Sequence, residues 1–170
     1  MSLKISFAAV LLFCFTVSAQ EGPRNKRPRV PADYQAGTLK ELAANAASNE
    51  SRGNKEETMV VDPNISPTRV RATYAGLTAR TPEDKAELIR QWARLYAGAP
   101  ETYTKYYEVD VAFTENGTDY WLTFTKRTLE SFEKENMSKP VDLFLIKMGA
   151  IKRGDKWVPV LLVESFQTAK

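Results

Sequence analysis

Hydrophobic and polar residues alternate on both sides of the dipeptide Asn116-Gly117, and this pattern predicts a β-hairpin. Asparagine and glycine both tolerate the positive φ that a tight two-residue turn requires. Counting outward from the turn gives three apolar pairs on one face: Phe113 with Tyr120, Val111 with Leu122, and Val109 with Phe124. This agreement fixes the expected register, because a slip of one residue would move every side chain to the opposite face.

The opposite face of this hairpin is polar, and the same counting places Trp121 on it, across from Ala112. Glu108 and Asp110 stand two residues apart on the first strand, so their side chains should share this face at about 6–7 Å. An indole beside two carboxylates can stack on a sugar ring while the carboxylates bond its hydroxyl groups. Two carboxylates can also divide the acid and base roles of glycoside hydrolysis. Trp121, Glu108 and Asp110 are therefore the candidate ligand-binding residues, and Glu108 and Asp110 are the candidate catalytic pair.

The clearest helix pattern in the chain begins after Thr81. Thr81 can cap the helix, Pro82 suits its first position, and the acidic residues that follow favour the positive end of the helix dipole. An apolar stripe then recurs at helical spacing and consists of Leu88, Ile89, Trp92, Leu95 and Tyr96. Such a stripe usually faces a core. It is also the candidate cover for Trp121, which in that interpretation is a packing residue.

Three further segments have the patterns of strands, and one has the pattern of a short helix. Residues 68–74 alternate between apolar and polar side chains, as a half-buried strand does. Residues 143–146 and 160–163 are apolar at every position, which is typical of strands buried on both faces. The letters KRGDK between them predict a turn, and Gly149 predicts a bulge or bend. The letters TLESFEKEN predict a short helix between the two hairpins.

This order of elements predicts an α+β fold with one long and one short helix. A curled antiparallel sheet with a helix before its last strand pair resembles an OB-type barrel, so we expect such a sheet or an OB-like partial barrel. A split α+β sheet with helices on one face is the main alternative.

The N-terminal third of the chain has a different character from the rest. Residues 1–19 predict a secretory signal peptide, because an apolar run follows Lys4 and small residues precede Gln20. Residues 20–57 predict a basic, proline-rich arm and a flexible or partly helical linker, and residues 58–170 predict a single globular domain. We expect a secreted or periplasmic protein without a transmembrane anchor. The arm can make weak contact with an anionic surface through Arg24, Lys26, Arg27 and Arg29.

The composition excludes several chemistries. The chain has no histidine, and its one cysteine, Cys14, lies within the predicted signal peptide. Ser-His-Asp and Cys-His catalysis and histidine-ligated zinc are therefore excluded, and we predict no cofactor and no metal site. A net charge of +3 gives little reason to expect a nucleic-acid partner. Basic and aromatic residues do interleave, at Arg69, Arg71, Tyr74, Lys105, Tyr106 and Tyr107.

The segments YWLTF, TLESF, VDLFLIKMGA and KWVPVLLVESF are similar to those of small exported bacterial proteins that have no assigned activity. The resemblance implies export and carries no catalytic residues. We interpret the chain as an exported binding or interaction module with a protein or glycan partner. The alternatives are a carbohydrate-active enzyme that uses Glu108 and Asp110, and a structural component of the cell envelope.

Overall fold

The computed structural model describes residues 29–47, 58–98, 100–135 and 140–168. Within these ranges the chain is a mixed α+β structure. After a 3₁₀ turn at Pro31–Asp33, the strands are β1 (Gln35–Ala36), β2 (Met59–Val61), β3 (Thr68–Arg80), β4 (Tyr107–Glu115), β5 (Thr118–Thr125), β6 (Val141–Arg153) and β7 (Lys156–Thr168). The helices are α1 (Leu39–Ala47), α2 (Glu83–Tyr96), α3 (Pro100–Tyr106) and α4 (Lys126–Glu133).

The sheet curls so that its long strand β3 pairs with β4 along one part of its length and with β6 along the other. Residues 68–72 of β3 pair with β6, and residues 73–80 pair with β4. Antiparallel hairpins join β4 to β5 and β6 to β7, while β5 and β7 run parallel. The barrel stays partly open, because only Thr123 and Phe124 of β5 pair with β7. The predicted α+β fold with a curled sheet or OB-like partial barrel is confirmed. The sheet is mixed and not purely antiparallel, because β1–β3 and β5–β7 are parallel, and the described residues form four helices where the sequence predicted one long and one short helix.

The first hairpin has the predicted register. Val111 pairs with Leu122, Phe113 with Tyr120, and Ala112 with Trp121, around a turn in which Asn116 and Gly117 both have positive φ. Continuing the same count from the turn predicts that Glu108 pairs with Thr125, and this prediction is wrong. A bulge shifts the register between Tyr107 and Val109, so Tyr107 pairs with Thr125 instead.

Two layers of apolar side chains stabilise the fold. The barrel consists of strands β3 to β7, and apolar side chains from all five strands and from α4 fill its interior. Phe132 of α4 packs there against the rings of Phe113 and Phe124. On the outside of the barrel, α2 packs against β6 and β7 through Leu88, Ile89 and Trp92. Strands β6 and β7 are therefore covered on both sides, which explains their unbroken runs of apolar residues.

Helix α2 differs from its prediction at both ends. Pro82 occupies the N-cap position, and Thr81 instead turns its hydroxyl group toward Asp110. At the other end, Leu95 and Tyr96 are exposed, because the buried face of the helix is formed by Trp92 and Ala93 there. A further helix, α3, begins at Pro100. Proline suits the first turn of a helix, because the backbone N–H that it lacks would have no intrahelical partner there.

The folded body includes residues that precede the predicted boundary at Thr58. Leu39 of α1 is fully buried in the barrel cluster, and the buried carboxylate of Glu115 accepts the backbone N–H groups of Leu39 and Lys40. Thr38 and Glu41 form a reciprocal capping box at the same helix start. These contacts anchor α1 across the end of β4.

Gly149 permits a close approach between the edge strand β2 and the barrel. It adopts φ 152° beside the bulge in β6, and a Cβ atom built there would lie 2.1 Å from the carbonyl oxygen of Val60 in β2. We expect Gly149→Ala to lower the free energy of unfolding by about 2–4 kcal/mol, because the substitution adds both a clash and backbone strain.

Urea unfolding followed by circular dichroism measures this change. Gly76→Ala is the matched control, since Gly76 also has positive φ but open space around it, and it should cost about 1–2 kcal/mol. A Gly149→Ala protein as stable as Gly76→Ala would contradict the packing argument.

Candidate functional site

A cleft of about 350 Å³ opens where β5 and β7 diverge. The two strands touch at Thr123 and Leu162, and before these residues the start of β5 and the start of β7 have no ladder between them. The first turn of α2 and the β6–β7 turn flank the opening. Its apolar walls are formed by Pro82, Trp121, Trp157 and Pro159. We call this space the Trp121 cleft.

Trp121 lies on the face that the sequence predicts, and it remains accessible. Its side chain is 40% exposed at the cleft, opposite the small residue Ala112. The predicted cover is wrong, because the apolar stripe of α2 packs on β6 and β7 instead. Trp157, by contrast, is 7% exposed and packs against Ala46 and Ala150.

A buried ion pair between Lys85 and Asp110 forms part of the same cleft. The two side chains are 1% and 3% exposed, and the Lys85 Nζ atom lies 2.5 Å from the Asp110 Oδ2 atom. Lys85 Nζ also donates to the backbone carbonyl oxygen of Trp121 at 3.1 Å. The other carboxylate oxygen of Asp110 accepts from the hydroxyl groups of Thr81 at 3.2 Å and Thr123 at 2.8 Å. This network connects α2, β4 and β5.

Burial lowers the pKa of the Lys85 ammonium group, and the attraction of Asp110 offsets part of that effect. Removing an ammonium group from water disfavours its charged form, whereas a carboxylate within hydrogen-bond reach favours it. The hydrogen bonds to Asp110 and to Trp121 therefore stabilise the charged form of Lys85 in a site whose burial disfavours that form.

The position of Lys85 in the helical repeat of α2 is a signal of its burial that the sequence already contains. Lys85 precedes Leu88, Ile89 and Trp92 by three, four and seven residues, so it lies on the buried stripe of α2. A lysine at such a position needs a buried partner. Asp110, on the polar face of the neighbouring hairpin, is that partner.

Charged side chains surround the entrance of the Trp121 cleft: Arg80, Asp119, Arg153 and Lys156. Arg153 forms two hydrogen bonds to Asp84, at 2.8 and 3.0 Å. Burial opposes the ionisation of Asp84, but bonds from Arg153 and from the backbone of Lys85 outweigh it and lower the pKa of that carboxyl group. The Asp84–Arg153 pair thereby ties the start of α2 to the end of β6.

Glu108 and Asp110 line different spaces. Glu108 is exposed and lines a separate, more polar groove of about 670 Å³ beside α2 and α3, whereas Asp110 lines the Trp121 cleft. The bulge in β4 falls between Tyr107 and Val109, at Glu108. Of the three candidate residues, Trp121 and Asp110 are brought to one cleft.

The basic arm is described only at its end. Arg24, Lys26 and Arg27 lie outside the described residues. Arg29 forms an ion pair with Glu164 of β7 at 2.5 Å, and the hydroxyl group of Tyr34 donates to the same carboxylate at 2.6 Å. Arg29 is thus engaged within the protein.

Residues 29–47, 58–98, 100–135 and 140–168 contain neither a metal-binding cluster nor a membrane-spanning helix. No group of three or more acidic, histidine or cysteine side chains there is placed to hold a metal ion. No helix in these ranges is long and apolar enough to cross a membrane.

Removing one partner of the buried ion pair should be costly. We expect Lys85→Met and Asp110→Asn each to lower the free energy of unfolding by about 3–5 kcal/mol, because each leaves a buried polar group without its partner. The double variant should lose at least ~2 kcal/mol less than the sum of the single losses.

Urea unfolding of the three variants completes this double-mutant cycle. The control is Arg71→Met, because Arg71 forms an exposed pair with Asp142 at 2.8 Å, for which a loss below ~1 kcal/mol is expected. Losses of that small size for Lys85→Met would show that the pair contributes little.

A comparison of the chain with models of known protein families finds no match. A comparison with curated protein sequences finds no significant match either.

Proposed function

We propose that this protein is an exported binding module and that its ligand occupies the Trp121 cleft. One observation carries the proposal. A large indole that is 40% exposed stands at an apolar cleft, and the same cleft reaches a buried, hydrogen-bonded ion pair.

The cleft has the general character of a ligand site. Ligand pockets commonly measure about 300–1,000 Å³ and combine apolar walls with a few fixed polar groups. The walls of this cleft are rigid, because Pro82 and Pro159 have restricted backbones and Trp157 is packed on α1 and β6. Trp121 supplies a flat apolar surface that loses little conformational entropy when it binds.

The position of the cleft in the fold also supports binding. OB-type barrels bind ligands on the face of their second and third strands, between the loops that follow the first and fourth strands. In this chain the corresponding elements are β5, the start of α2 and the β6–β7 turn, and all three border the cleft. This support is an analogy between folds.

The geometry favours binding over hydrolysis by Glu108 and Asp110. A glycosidase needs two carboxylates on either side of one bond. Asp110 is engaged by Lys85, Thr81 and Thr123, and Glu108 lines the other groove. Asp110 in this proposal is a structural residue that orients Lys85 and the wall of the cleft.

Substitution of Trp121 should remove binding and preserve the fold. We expect Trp121→Ala to lower the free energy of unfolding by about 1–2 kcal/mol, less than the ~3–5 kcal/mol typical of a buried aromatic residue, because the indole is partly in water. Amide chemical shifts of the mature protein, measured with a library of apolar fragments and oligosaccharides, should move around the cleft. These shifts should vanish in Trp121→Ala.

Tyr96→Ala is the matched control, since Tyr96 is also an exposed aromatic residue but lies outside the cleft. Its ligand-induced shifts should equal those of the unchanged protein. The proposal fails if library compounds move amides elsewhere and spare the cleft, or if binding survives in Trp121→Ala.

Export rests on the pattern of residues 1–19, which lie outside the described residues. Expression of the full chain in a bacterial host should release a shortened protein into the periplasm or the medium. N-terminal sequencing should give Gln20 as the first residue, because small residues precede that bond. A cytoplasmic protein that still starts at Met1 would contradict export.

A further inference from the structure

We propose that the Trp121 cleft binds a small amphipathic anion, with a flat apolar body inside the cleft and one anionic group at its entrance. This inference rests on the proposed function, because it names the chemical class of the ligand for the same site.

The walls of the cleft select a flat apolar body. Two indoles, Trp121 and Trp157, and two proline rings, Pro82 and Pro159, contribute rigid surfaces. Indole rings present planar faces and proline rings present rigid apolar ones, so another ring system can pack on them with little loss of rotamer freedom. A body of about two fused rings suits a volume of about 350 Å³ and leaves room for a polar substituent.

The deep part of the cleft is electrically balanced before any ligand binds. Lys85 and Asp110 neutralise each other at 2.5 Å, and each has further hydrogen bonds to the protein. An additional buried charge there would pay for its own desolvation without a free counter-ion. The charged group of the ligand therefore belongs at the entrance.

The entrance carries an excess of unpaired positive charge. Arg80 and Lys156 are exposed and form no ion pair with any residue of the described ranges. Arg153 is neutralised by Asp84. Asp119, the acidic residue among the described side chains that line the entrance, accepts a hydrogen bond at 2.5 Å from the hydroxyl group of Thr114 on the neighbouring strand. Two cations thus face one carboxylate, which is the charge distribution that an anionic group complements.

Three naphthalene derivatives test the charge of the ligand at constant shape: 2-naphthoate, 2-naphthylmethanol and 2-naphthylmethylammonium. We expect the mature protein to bind 2-naphthoate about tenfold more tightly than the alcohol, because the hydrogen bonds from Arg80 and Lys156 to a carboxylate are charge-assisted. The ammonium compound should bind most weakly. Raising the salt concentration should reduce the preference for naphthoate, because the entrance is exposed. Amide chemical shifts give the affinities and the site together.

Variants of the two cations test the assignment. Arg80→Gln and Lys156→Gln should each weaken naphthoate binding about threefold and leave alcohol binding unchanged, and the double variant should remove the preference. Arg94→Gln and Lys126→Gln are matched controls, because both side chains are exposed and lie outside the cleft. Neither control should change the preference. Trp121→Ala should weaken the binding of all three probes.

The outcomes separate this inference from the proposed function. Equal binding of naphthoate and alcohol in the cleft, lost together in Trp121→Ala, would overturn the anion inference and support the proposed function. Probe-induced shifts confined to other parts of the protein would overturn both. No cleft binding by any of the three probes would overturn the amphipathic class, and the oligosaccharides of the library then decide the proposed function.

Discussion

The short parallel contact between β5 and β7 determines where this molecule is open. Strand β7 stays paired with β6 from Lys156 to Thr168, through two register shifts. With β5, by contrast, it pairs only at Thr123–Leu162 and Phe124–Val163. No pair of this short ladder includes Trp121, and its carbonyl oxygen accepts from the Lys85 ammonium group instead. A side chain from the covering helix thus supplies a partner that a neighbouring strand would normally provide, which satisfies a backbone group at an open edge.

The buried pair of Lys85 and Asp110 follows from that opening. Helix α2 needs an apolar face where it covers β6 and β7, and it has one from Leu88 onward. One turn earlier the same face lies over the gap beside β5, where a polar backbone group has to be satisfied. Lysine meets both demands, because its aliphatic stem packs on apolar surface while its ammonium group reaches the carbonyl oxygen. Asp110 then supplies the charge that a buried ammonium group requires.

Local patterns were sufficient to predict the hairpins and the face on which Trp121 lies. The Asn-Gly turn and three apolar pairs determine the register of β4 and β5 without reference to the rest of the chain. The exposure of Trp121 could not be predicted, because it depends on which sheet face α2 covers, and the stripe containing Trp92 fits either face. The bulge at Glu108 leaves no mark in the pattern, so the predicted carboxylate pair was separated. The anchoring of α1 was within reach, since Thr38 and Glu41 have the spacing of a capping box.

The ion pair of Arg29 with Glu164 and the hydrogen bond from Tyr34 fix the start of the described chain against β7. The Tyr34 ring also packs on Phe144 of β6, and β1 pairs with β3. The segment from Arg29 to Ala36 therefore links β7 to β3 across β6, and these two strands are not neighbours in the described sheet.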